Sequence, residues 1–301
     1  MISEPALNGT SVTLGAPAQS DECWVPASIN GAPAPYGCFP NGPLLSSTIA
    51  WVSLSPVTLA GGQALDGAAA LGGTVFSGTA GGAPVSGAAF VGAAFTGTLT
   101  TGGSVPIRID SAAAGSGADA DVWRYGFSYQ DTSGAWHSIC ADGGTAVPVL
   151  GRWDYHQGAA GNGAKTNDPT AFTPGCQTSA VSKCVAMGYK PWATASGTSL
   201  DAHHQACVRL IRADYCGDGV SHTSAGRSVN VYDAMGILSD TRGWLIEAEW
   251  APSGARCVNV SNRNLVGVLC APLLSLLSCG SPSHFGTGTL LMSETEVLSL
   301  L

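Results

Sequence analysis

Alternation of apolar and polar residues dominates the middle of this chain. Val105-Pro-Ile-Arg-Ile-Asp110 and Asp121-Val-Trp-Arg-Tyr-Gly-Phe-Ser-Tyr129 repeat every second residue, the period of a half-buried strand. In the second run Trp123, Tyr125, Phe127 and Tyr129 share one parity and are expected to line one face. Trp136 and Cys140 follow a turn at Thr132-Ser133-Gly134, which predicts a hairpin. Residues 147–155 read as a further strand, followed by a polar, Gly-rich loop. The period then changes. Residues 178–187 carry good helix formers and stop at Gly188, a residue suited to the position just past a helix end. Thr198-Ser-Leu-Asp201 opens a second helix, running through His203, His204, Cys207, Leu210 and Ile211 towards Tyr215. Strands resume at 228–232 and 244–250. In the last of these Trp244, Ile246, Ala248 and Trp250 face one way, and Glu247 and Glu249 the other. The pattern predicts an α+β fold, mostly antiparallel β with a disulfide-linked antiparallel helix pair.

Earlier in the chain, Gly62, Gly67, Gly72, Gly82, Gly87, Gly92, Gly97 and Gly102 fall on a five-residue ruler. A pentapeptide-repeat helix has that period, but its central Leu or Phe positions are kept only in part and out of phase. Short strands joined by tight glycine turns are the better reading.

Composition narrows the function classes. The chain has 301 residues, 45% of them apolar, only 11% charged, with a formal charge of −8. That is under half the charge content usual for soluble domains. An acidic chain with three lysines (Lys165, Lys183, Lys190) lacks the basic face that a nucleic-acid binder needs. The longest apolar stretch, 265–277, is broken by Pro272 and too short for a transmembrane segment. No cofactor signature is found: GxSxG, HExxH and a phosphate-cradling loop are all missing.

Ten cysteines, an even number with no CxxC pair, read as disulfides made in an oxidising compartment. Met1-Ile2-Ser3-Glu4 lacks the basic and apolar regions of a signal peptide. The cysteines nevertheless point to a mature secreted or cell-surface chain with a new initiator Met. Cys176 and Cys184 are spaced much like Cys207 and Cys216, so an antiparallel register of the two helices predicts Cys176–Cys216 and Cys184–Cys207. Proximity suggests Cys23–Cys38 and Cys270–Cys279, which leaves Cys140–Cys257 across the sheet.

Arg212-Ala213-Asp214-Tyr215-Cys216-Gly217-Asp218-Gly219 is the most distinctive stretch. With Lys183-Cys184, Gly188-Tyr189-Lys190-Pro191-Trp192 and Cys207 before it, it resembles the ADYC domain family of bacterial proteins. Val231-Tyr232-Asp233, Gly236-Ile237, Glu247-Ala248, Trp250 and Gly254-Ala255-Arg256-Cys257 fit the same pattern downstream. Trp136 with Cys140, Gly151 with Trp153-Asp154, and Phe172-Thr173 with Cys176 fit it upstream. The resemblance implies secreted or surface-associated proteins and carries over no reaction. It divides the chain into an irregular N-terminal arm (1–60), a domain (61–265) and an apolar C-terminal tail (266–301). Within the domain the expected order is β-rich 61–155, helix pair 176–216 and strands 228–250.

Several constellations bear on chemistry. His203, Cys207 and Asp214 share one stripe of the second helix, as a nucleophilic thiol with its base would require. All three lie on a single element, however, and a disulfide would consume the thiol. Asp214 sits near a helix C-terminus, where the macrodipole disfavours an anion. It should therefore pair with Arg209, Arg212 or the amides of the Gly217-Asp218-Gly219 turn. The alternative is a calcium loop at Asp214, Asp218 and Asp233, although EF-hand spacing is missing. Glu247 and Glu249 read as a glycosidase pair only if tryptophans share their face. The plainer expectation is carboxylates in water and tryptophans in the core.

The leading expectation is a non-enzymatic secreted or cell-surface module, stabilised by disulfides and serving structure or binding, with an unidentified surface or matrix component as partner. One alternative is a secreted hydrolase using His203, Asp214 and Glu247. Another is a self-assembling surface or matrix subunit.

Overall fold

In the computed structural model the described residues are 11–14, 27–29, 32–34, 49–99, 103–140, 144–153, 161–177, 179–223, 227–240, 243–259, 268, 270 and 279–295. They form short strands first: β1 (Ser11–Leu14), β2 (Ala27–Ile29), β3 (Ala32–Ala34), β4 (Ile49–Thr58), β5 (Ala70–Gly72), β6 (Val75–Ala80) and β7 (Ala83–Ser86). Next come β8 (Ala94–Leu99), β9 (Ser104–Ala114), β10 (Trp123–Gln130), β11 (Trp136–Ser138), β12 (Ala146–Leu150), β13 (Arg152–Trp153), β14 (Lys165–Thr166) and β15 (Ala171–Cys176). Helix α1 (Ala180–Ala186), β16 (Thr194–Ala195), β17 (Thr198–Ser199) and helix α2 (Asp201–Arg212) follow. The order ends with β18 (Arg227–Asp233), β19 (Leu245–Ala251), β20 (Gly254–Val258) and β21 (Leu291–Thr295).

The chain divides into two units. In the unit made of Cys23–Asp154 and Lys165–Ser182, six strands close in the order β10-β12-β15-β4-β8-β9, with β9 pairing back onto β10. Every pairing is antiparallel. The aromatic parity explains what fills the barrel. Tyr125, Phe127 and Tyr129 turn inward, where they meet Val52, Leu54, Phe95, Ile107, Ile109 and Phe172. A closed barrel leaves no open edge among its strands.

The glycine-ruled stretch supplies the barrel's filling. Strands β5, β6 and β7 form a three-stranded meander that delivers Phe76 to the core, fully buried. Its ring lies 5.0 Å from Tyr125, 5.0 Å from Phe172, 5.4 Å from Phe95 and 5.5 Å from Phe90. Thr74 Oγ1 accepts the Trp123 N–H at 2.6 Å, fixing the meander to β10. Side chains, not a channel, occupy this interior.

The second unit combines Met1–Glu22, Tyr155–Ala164 and Lys183–Leu301. Its sheet runs β1-β18-β21-β19-β20, all antiparallel, with β21 buried at the centre. Helix α2 packs on β19, β20 and β21. Strand β4 starts inside the stretch expected to be an arm, and β21 lies inside the one expected to be a tail.

This architecture corrects the α+β expectation. The described residues are mostly antiparallel β with a six-stranded barrel, and the two α-helices have only 7 and 12 residues. The antiparallel helix pair does not extend to the outer cysteines. Cys176 is the last residue of β15, and Cys216 lies beyond the left-handed Ala213 that ends α2, so neither sits on a helix.

Four disulfides are present among the described residues. Cys184–Cys207 is the one the register predicted, with Cα atoms 5.8 Å apart. Instead of Cys176–Cys216 and Cys140–Cys257, the structure joins Cys140 to Cys176 at a Cα separation of 5.6 Å. Both of those cysteines belong to the barrel unit, whereas Cys216 and Cys257 belong to the other. Instead of Cys270–Cys279, it joins Cys216 to Cys270 and Cys257 to Cys279. Nearness in sequence misled there, because what a bridge requires is Cα atoms about 4.4–6.8 Å apart in space. Cys23 and Cys38 lie outside the described residues. Each bridge contributes roughly 2–4 kcal/mol, chiefly by restricting the unfolded chain.

Candidate functional site

The unit carrying α2 buries an unusual number of polar side chains, and these lie around the most distinctive sequence stretch. Helix α2 ends because Ala213 turns left-handed at φ 50°, and the Asp214 N–H then bonds back to the Arg209 carbonyl at 2.9 Å. That reversal points the Asp214 carboxylate at the following turn. Oδ1 accepts the Asp218 N–H and Oδ2 the Gly219 N–H, both at 3.1 Å. The Arg209 guanidinium pairs with Oδ2, and both side chains are only 1% exposed. A buried Asp–Arg lock is therefore in place, as the macrodipole argument required.

Each following residue is committed as well. The Tyr215 hydroxyl donates to Glu247 Oε1 at 2.6 Å, and its ring stacks on Trp250 with centroids 5.2 Å apart. Ser293 Oγ donates to Glu247 Oε2 at 2.7 Å and accepts the Trp250 indole N–H at 2.8 Å. Cys216 is bonded to Cys270. At Gly217 a Cβ would stand 1.7 Å from the Ser253 carbonyl oxygen, and φ is +66°, so only glycine fits.

Both strand carboxylates are buried, Glu247 fully and Glu249 to 3% exposure, which corrects the expectation that they face water. A bulge explains Glu247. Ile246 pairs with Glu294 but Ala248 with Ser293, so Glu247 is an extra residue and bonds on the Ser293 and Trp250 side. Glu249 has separate partners: Oε1 meets the Gly280 N–H and His284 Nδ1, each at 2.7 Å, and Oε2 meets the Thr289 hydroxyl at 2.9 Å. The two carboxylates thus have separate sets of partners.

His203, Asp214 and Glu247 likewise have separate partners. His203 stacks on Tyr189 with centroids 6.4 Å apart, and burial lowers its pKa while Asp233 opposes the shift. The neutral imidazole is thus favoured there. Asp233 accepts the Tyr189 hydroxyl at 2.8 Å and the amides of Met235, Ile237 and Leu238. This also answers the calcium expectation. Asp214 and Asp233 spend their oxygens on N–H and O–H donors, and Asp218 Oδ1 accepts the Val220 N–H at 3.0 Å. Among the described residues no group of three His, Cys, Asp or Glu is placed to hold a metal ion.

Sequence reasoning missed Ser293, Thr289, His284 and Asn230 as partners of buried carboxylates. A usable signal was the scarcity of charge. Where only 11% of residues are charged, a carboxylate in an apolar strand is a candidate for an interior role.

Glu294 carries the clearest pH signature. Burial raises its pKa, although Asn230 Nδ2 and the Trp244 N–H, at 2.9 and 3.0 Å, favour the anion. A raised folded-state pKa means the folded chain holds the proton longer than the unfolded chain. The associated stability is full below the ordinary glutamate value and is lost as pH rises through the folded one. Glu294→Gln is expected to be more stable than the parent at pH 7, with the gain shrinking towards pH 4 in urea titrations.

The ADYC domain family matches residues 87–264, more than half of the chain. The chain belongs to the ADYC domain family. Its Ala-Asp-Tyr-Cys run is Ala213 to Cys216, and each letter has a visible task. Alanine takes the left-handed turn, aspartate binds Arg209 and the loop amides, tyrosine reaches Glu247 and Trp250, and cysteine forms a bridge. The motif is thus the knot of the ADYC domain's polar interior. Neither the curated proteins nor the solved structures yield a match to the chain. Among the described residues no helix is long and apolar enough to cross a membrane.

Proposed function

We propose that this ADYC domain protein is a non-enzymatic module of an oxidising, extracytoplasmic setting, serving structure or binding rather than catalysis. The observation that carries the reading is the full commitment of Asp214, Glu247, Glu249 and Asp233. Each buried carboxylate has both oxygens engaged by protein donors, which supports a structural rather than a catalytic role. A working general acid or base needs an accessible proton and a tuned pKa. Four disulfides support the compartment, because glutathione would keep such thiols reduced in the cytosol.

The test is a hydrolase panel of chromogenic esters, glycosides and peptides on the oxidised protein. The expected result is no turnover above that of the heat-unfolded chain. Turnover that disappears in Glu247→Gln or Asp214→Asn, with the fold intact by circular dichroism, would contradict the proposal.

A further inference from the structure

Four buried nitrogens beside the Asp214 lock have no partner among the described residues: Arg209 Nη2, Arg212 Nε, Arg212 Nη1 and Asn162 Nδ2. They belong to Arg209, Arg212 and Asn162, residues 1%, 5% and 7% exposed. The remaining groups show that these three residues meet at one place. Arg209 Nη1 bonds the Asn162 carbonyl as well as Asp214, and Arg212 Nη2 bonds the Gly219 carbonyl. A Cβ on Gly219 would lie 3.3 Å from the Asn162 carbonyl carbon, so the two gripped backbone segments are in contact. A Cβ on Gly163 would stand 2.9 Å from Arg209 Nη1, so the cradle is kept open by a missing side chain.

All the unused atoms are donors. A guanidinium has no lone pair to offer, and an orphaned buried donor costs about 1–3 kcal/mol, more when charged. The charges are uneven too. Arg209 and Arg212 face one buried carboxylate, Asp214, and the carbonyl end of α2. Asp218 at the rim adds a weaker attraction for Arg212, while Arg209 repels it. Among the described residues these donors lack an acceptor with negative charge and several lone pairs.

We propose that the Arg209–Arg212–Asn162 cradle binds a small inorganic anion of halide size. All four nitrogens are buried, which favours a compact inorganic ion over an organic acid. The anion would tie the end of α2 to the Asn162-Gly163 and Asp218-Gly219 loops, deepening the structural role proposed for the motif.

The experiment is thermal unfolding of the full oxidised chain at fixed ionic strength, with chloride replacing gluconate. Because a ligand of the folded state stabilises it by mass action, Tm should rise by roughly 2–5 °C with chloride. Arg212→Lys should abolish the rise and Asn162→Ala should weaken it. If the lysine variant does not fold, the alanine variant decides. Bromide soaked into crystals should give an anomalous peak against Arg209 and Arg212. Equal Tm in both salts, an undiminished rise in Asn162→Ala, or a cradle filled only by water would overturn the proposal. None of these results depends on whether the protein has catalytic activity, so the cradle and the non-enzymatic reading fail separately.

Discussion

Arg209→Met is expected to destabilise the protein by about 3–5 kcal/mol, the cost of stranding a carboxylate in the interior. Asp214 is fully buried, and of its three donors only Arg209 carries charge. Methionine keeps much of the volume but supplies no donor. The Asn162 carbonyl and the Pro252 carbonyl, 3.1 Å from Arg209 Nε, lose their partner as well. Pairing the change with Asp214→Asn removes the stranded charge and should recover part of the loss, since contacting residues do not act additively. Urea unfolding of the two single variants and the double variant measures this. A cost under about 1 kcal/mol for Arg209→Met would mean that the pair behaves as a surface ion pair.

Phe76→Ala should produce a loss of similar size, about 3–5 kcal/mol, for a different reason. No charge is involved. Phe76 is the ring that the meander inserts among Phe90, Phe95, Tyr125, Phe127 and Phe172. Removing it leaves a cavity among rings carried by β8, β10, β15 and the Gly87–Phe90 turn, and strands closed into a barrel relax little to fill one. Phe76→Leu should cost less than half as much. Equal effects of the two substitutions in denaturant titrations would show that the ring contacts do not matter beyond the first few carbons.

The barrel strands were legible because their period is local. Residues 123–129 alternate, and the structure turns Tyr125, Phe127 and Tyr129 inward as that parity predicts. Closure was not legible, since it depends on β9 meeting β10 and β4 meeting β15, pairings that no local pattern encodes. The helix limits erred for a similar reason. A left-handed alanine ended α2 at Arg212, where the sequence offered no glycine before Gly217. Charge told more than periodicity at the motif, where the dipole argument offered Arg209, Arg212 or the turn amides for Asp214, and the structure uses Arg209 and the amides. At Glu247 periodicity misled, because one bulge moves a side chain to the other face. The cysteine register worked for Cys184 and Cys207, the two that do lie on helices, and failed for the two that do not.

The central claim is that a disulfide-stapled interior has committed its polar groups to structure. Peptide mapping of the oxidised protein, alkylated under denaturing and non-reducing conditions, tests it most directly. The account predicts Cys140–Cys176, Cys184–Cys207, Cys216–Cys270 and Cys257–Cys279, with none of these eight thiols alkylated. A free, rapidly alkylated Cys207 beside His203, or a Cys176–Cys216 bridge, would contradict it and return nucleophilic chemistry on α2 to the front.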